Sequence, residues 1–125
     1  MKSKVAVVAL LGFAGFMNTA SANPDELQKM HDFSRNASGL LSYCVDKGYL
    51  KSDSLEVASK FKAFVANVPG MKATGGDDIE ANGRQGKIHL GDGQYDSLEK
   101  APQGPAAWCQ EADAGLRKGL AEAGQ

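Results

Sequence analysis

The stretch NASGLLSYCVDKGYL, residues 36–50, decides the fold. It holds Cys44, one of only two cysteines in the chain, and it closes a longer pattern. Apolar or small residues recur at Leu27, Met30, Phe33, Ala37, Leu40, Leu41, Cys44 and Val45. The steps are mostly three and four, the spacing of one face of a helix. Upstream, Asn23-Pro24-Asp25-Glu26 is a helix start: Asn is a favoured N-cap, Pro suits the first helical position, and the acids complement the helix dipole. Downstream, Gly48 suits the left-handed residue that ends a helix, with Tyr49 or Leu50 packing after it. The pattern predicts a helix over 23–48 with Cys44 in its last turn, facing the core. Gly39 inside it costs about 1 kcal/mol relative to Ala, and a break near 35–37 is an alternative to one continuous helix.

Before this helix, the chain carries an export pattern. Lys2 and Lys4 make a basic start, Val5 to Met17 is an apolar and glycine run, and Ala20-Ser21-Ala22 is a small-residue cleavage pattern. Together these predict a secretory signal peptide over residues 1–22. The run is too short to span a bilayer, which takes about 20 residues. The expected mature chain, 23–125, is one domain, and losing Lys2 and Lys4 takes its formal charge from −1 to −3. A mildly acidic chain with no basic cluster lacks the footprint of a nucleic-acid binder. It also lacks the basic amphipathic face of a membrane-surface helix. The expected location is periplasmic or secreted, with no stable membrane insertion after cleavage.

A second helix is predicted over 52–68. Asp53 and Glu56 resemble a capping box. Leu55, Ala58, Phe61, Val65 and Val68 form one line, with Lys60 and Lys62 facing outward. Val68-Pro69-Gly70 stops it. Residues 71–104 are glycine-rich and short of large apolar side chains. Asp77 can cap a short helix running to about Gly86, followed by an ordered loop. The alternative is a hairpin pairing Lys87–Leu90 with Gln94–Asp96 across Gly91-Asp92-Gly93, since Asp-Gly is a common hairpin turn. Gly104-Pro105 opens a last helix, 105–121, with Trp108, Cys109, Ala112, Leu116 and Leu120 on one face. The expected fold class is therefore all-α: three to four helices, one disulfide and a glycine-rich loop segment.

Cys44 and Cys109 are 65 residues apart. In an oxidising compartment two cysteines favour pairing. Closing such a loop stabilises by about 4 kcal/mol in the chain-entropy model. The competing readings lack their partners. There is no C-x-x-C for redox chemistry, and neither His31 nor His89 lies near a cysteine to complete a zinc site.

The motif NA-S-G-L-L-S-YC-V resembles the YjjA-like family of small exported bacterial proteins, as does the capped turn ending in Leu50. AWCQEADAGLRKGL resembles that family's C-terminal cysteine helix, and GRQGKIHLGDGQ its small-residue helix and Gly-Asp-Gly turn. The resemblance spans about residues 36–120. It implies a helical fold and the disulfide, and no catalytic residues.

No catalytic motif is present. Asp77, Asp78, Glu80, Asp92 and Asp96 cluster in the glycine-rich segment but do not fit the EF-hand spacing. His31 is expected on an exposed face and His89 in a turn. Asn36-Ala37-Ser38 fits a glycosylation sequon, read here as coincidence. The aromatics Tyr43, Tyr49, Tyr95 and Trp108 suit either a small core or an interface. The expectation is a non-enzymatic protein of the bacterial envelope, without metal or cofactor. It acts by binding another envelope or secreted protein, such as an effector that it neutralises. Tyr95, Asp92 and His89 form the candidate contact surface. The alternatives are an envelope-stress or chaperone-like factor and, after that, a small thiol-redox or hydrolytic enzyme.

Overall fold

The computed structural model describes residues 23–124. The signal-peptide reading concerns residues 1–22 and lies outside them. Helix α1, Pro24–Asp46, starts at a complete capping box. The Asn23 side chain accepts from the Glu26 amide at 2.9 Å, and the Asn23 amide donates to the Glu26 carboxylate at 3.3 Å. It runs unbroken through residues 35–39 and ends in a Schellman motif. Gly48 has φ +80°, its amide donates to Val45, and the Tyr49 amide donates to the Cys44 carbonyl at 2.8 Å.

Helix α2 spans Ser54–Ala66. Asp53 makes no capping bond there; its carboxylate pairs instead with Arg117, 3.2 Å away. The inward line also differs at its start. Leu55 is 41% exposed while Ser54 is buried: the inward face runs through Ser54, Val57, Ala58, Phe61 and Val65, and Leu55 lies beside it. Helix α3, Asp77–Arg84, follows a turn at Gly75-Gly76. Helix α4, Pro105–Glu122, closes the fold after a single 3₁₀ turn, Leu98–Lys100.

The protein is mostly helical but not all-α. Strands β1, Lys87–Gly91, and β2, Gln94–Ser97, form an antiparallel hairpin in the segment expected to be a loop. The short helix and the hairpin, weighed as alternatives, coexist. Asp92 and Gly93 both have positive φ, 53° and 74°. That is the signature of a type I′ turn, whose twist matches that of paired strands.

Two apolar clusters hold the elements. The larger joins α1, α2 and α4 through Leu41, Phe61, Val65 and Leu116, with Phe33 edge-on to Phe61 at 5.7 Å. The smaller surrounds the Cys44–Cys109 disulfide, which has a Cα–Cα distance of 5.9 Å and no solvent exposure. Leu40, Tyr43 and Leu98 pack there, with Trp108 and Ile88 at its margin. The bond ties the end of α1 to the start of α4, directly under the hairpin.

Helices α1 and α3 cross on glycine. A Cβ on Gly83 would lie 2.7 Å from the Asn36 carbonyl, and one on Gly39 would lie 2.8 Å from the Arg84 amide. Gly39 therefore gives up helix propensity in exchange for backbone-to-backbone approach, the usual reason for a glycine inside an element.

Candidate hairpin contact surface

The hairpin is fastened to α1 by one buried polar side chain. Asn36, on α1, is only 4% exposed. Its amide nitrogen donates to the carbonyls of Lys87 at 3.0 Å and Ile79 at 3.3 Å. Its oxygen accepts from the His89 amide at 3.0 Å. Asn36 thus donates to one β1 residue and accepts from the next but one, as a neighbouring strand would. A buried amide with donor and acceptor both satisfied is stable where an unsatisfied one is costly. Its burial also shows that the apparent sequon cannot carry a glycan in the folded protein.

The three expected contact residues come together on this hairpin. His89 and Tyr95 are directly paired, their rings 5.3 Å apart on one face. Asp92 sits exposed in the turn. Leu90, missed in the sequence reading, is the most prominent apolar side chain of the group at 60% exposure. The strand register is irregular between His89 and Gly91, leaving Leu90 unpaired; bulges of this kind re-aim a side chain. The sequence signal was an isolated leucine immediately before the Gly-Asp-Gly turn.

Between α1, α2 and α3 lies a buried ion network. Glu80 is 5% exposed and receives Arg35 at 2.5 Å, Arg84 at 2.8 Å and Lys62 at 3.3 Å. Lys62, expected to face outward, points at this carboxylate. Arg35 also bonds Asp77 and the Gly75 carbonyl. His31, expected on an exposed face, is half-buried with Nε2 2.8 Å from the same carbonyl. Burial pushes the Glu80 carboxyl up, but the Arg35 hydrogen bond and the Lys62 charge outweigh it and hold it below the usual range. Glu80 is thus ionised at neutral pH and engaged on every side. It locks α1, α2 and α3 together.

Beside the disulfide, the Tyr43 and Tyr49 hydroxyls both donate to Glu99. The Glu99 bond, then burial, push the Tyr43 hydroxyl up to about 12. Lys47 covers the Tyr43 ring, 5.5 Å from its centroid. Neither tyrosine is poised to lose a proton near neutral pH.

Among the described residues, no three His, Cys, Asp or Glu side chains converge to hold a metal ion. The acids of the glycine-rich segment divide: Asp77 and Glu80 serve the α1–α3 lock, Asp78 lies in the first turn of α3, and Asp92 and Asp96 lie on the hairpin. No described helix is long and apolar enough to cross a membrane. Comparison with known proteins finds no matching family, characterised protein or solved structure, so the resemblance to the YjjA-like proteins gains no support.

Proposed function

We propose that this chain is an exported, non-enzymatic protein of the bacterial envelope that acts by binding another envelope or secreted protein through its hairpin. One observation carries the reading. The hairpin displays the His89–Tyr95 ring pair and, next to His89 in sequence, Leu90 at 60% exposure, yet its other edge is fastened to α1 by a fully bonded asparagine. Tyr is among the residue types enriched in interface anchors, and burying an exposed leucine favours association. The scaffold beneath lowers the ordering cost that a free loop would incur on binding. The disulfide fits an oxidising, extracytoplasmic location.

The test is affinity purification from a bacterial envelope extract with the exported protein and with a His89→Ala/Leu90→Ala/Tyr95→Ala variant. One stoichiometric partner, retained at least tenfold less by the variant, supports the reading. Many unfolded clients, captured equally by both proteins, place the protein instead among envelope-stress or chaperone-like factors.

A further inference from the structure

The sheet has only two strands, so each has one edge without a strand neighbour. The β1 edge is occupied by Asn36. The His89 amide and the Lys87 carbonyl both point to that side chain, away from β2. Within a strand, alternate residues direct their backbone groups to opposite sides. Ile88 therefore faces β2 and bonds with Asp96, its partner in the register. Tyr95, paired with His89, then directs its own N–H and C=O outward, and Ser97 does the same. Among the described elements, β2 packs extensively only on β1.

This outer edge is selective rather than simply open. The Ser97 amide is covered by the Asp96 carboxylate at 2.9 Å, and the strand is four residues long; both features discourage indiscriminate pairing. Its two faces differ. One presents Gln94 and the exposed Asp96; the other presents Tyr95, backed by His89. A strand laid beside β2 would place one set of alternate side chains against Asp96 and the other against Tyr95.

We infer that the outer edge of β2 receives an extended segment of the partner protein by strand addition, a segment whose side chains alternate between cationic, facing Asp96, and apolar, facing Tyr95. The inference rests on the hairpin being the contact surface and names the chemistry of what it contacts. Backbone hydrogen bonds to the Tyr95 N–H and C=O and to the Ser97 C=O give the attachment, the Ser97 N–H being held by Asp96, and the alternating side chains give the selectivity. A second copy of this chain is a poorer occupant. Two-fold pairing of Tyr95 with Ser97 sets Asp96 opposite Asp96, and like charges directly opposed are destabilising; pairing of Tyr95 with Tyr95 sets Asp96 opposite Gln94, so neither register supplies a cation to Asp96.

The probes are capped hexapeptides: alternating Lys-Val, alternating Glu-Val, and two Lys-Val versions N-methylated on one or the other alternate set of residues. Binding to the oxidised, exported protein is followed by amide NMR and hydrogen exchange. Strand addition predicts saturable shifts centred on Tyr95 and Ser97 with slowed exchange of the Tyr95 amide. The Glu-Val peptide and one N-methylated peptide should each bind at least tenfold more weakly. Asp96→Lys, an exposed change, should weaken Lys-Val binding by a similar factor. The inference is overturned by no saturable binding, by shifts centred elsewhere, by indifference to N-methylation, or by dimerisation through Tyr95 without peptide. If those results come while the envelope partner is still lost from the His89→Ala/Leu90→Ala/Tyr95→Ala variant, the hairpin remains the contact surface and only the strand-addition geometry falls.

Discussion

At the scale of single residues, two buried polar side chains, Asn36 and Glu80, do most of the positioning. Replacing Asn36 by Ala leaves the His89 N–H and the Lys87 C=O without their partner. The expected cost is about 1–3 kcal/mol, and hydrogen exchange should quicken at His89 more than in α2. Glu80→Gln removes the charge that three cations share. Breaking a buried pair from one side costs roughly 3–5 kcal/mol. Here Arg35, Lys62 and Arg84 reach water to differing degrees, so the expected loss in urea unfolding is nearer about 1–3 kcal/mol. Asp53→Asn, which touches only the exposed pair with Arg117, should cost no more than about 0.5 kcal/mol. Glu80 also sets an acid limit. Its folded-state pKa lies below the ordinary value, so the unfolded chain takes up the proton first as pH falls. The stability it contributes is complete above roughly pH 4.3 and is lost as pH drops through the folded-state pKa. Thermal unfolding followed from pH 6 to pH 2 should show this loss in the wild type and a shallower one in Glu80→Gln.

At the scale of elements, the three long helices were legible because their signals are local. Asn23-Pro24 caps α1 as its sequence implies, Gly48 ends it, and Gly104-Pro105 opens α4. The hairpin was harder to see because its strands are four and five residues long and only half-buried, too short for alternation to stand out from a polar loop. What stabilises it is non-local: Asn36 lies 53 residues before His89 in sequence. The ion network stayed hidden for the same reason, since Lys62 reads as a solvent-facing lysine until α3 brings Glu80 to it. One signal was available. Asn36 and Gly39, three residues apart, put a polar and a small residue on a second side of α1, which suits close backbone approach rather than an exposed face. That reading has a direct test. Gly83→Ala forces a Cβ to within 2.7 Å of the Asn36 carbonyl, and overpacking of this kind costs about 1–3 kcal/mol or more. Calorimetry should show Gly83→Ala clearly destabilised and an Ala81→Gly change, on the exposed side of the same helix, reduced by only about 1 kcal/mol.

At the scale of the whole molecule, a chain of this size gains from a covalent link between distant parts. The Cys44–Cys109 bond sits in the smaller cluster, where it joins α1 to α4. Removing a disulfide from a small secreted domain costs about 2–5 kcal/mol. Cys44→Ala/Cys109→Ala should therefore lower Tm by at least about 10 °C. Reduction of the wild type should have a comparable effect, because the bond acts as one unit. A double variant as stable as the wild type would show that packing of Leu40, Tyr43 and Leu98 alone holds this end together. Helices, lock and staple converge on one outcome, a hairpin presented outward from a fixed base. The most direct measurement is photo-crosslinking inside the envelope, with a benzophenone side chain placed at residue 95 in one protein and at residue 55, on the exposed face of α2, in another. A single discrete adduct from position 95 and none from position 55 is the result a hairpin interface requires. No adduct from position 95, or the same diffuse set from both positions, would contradict it.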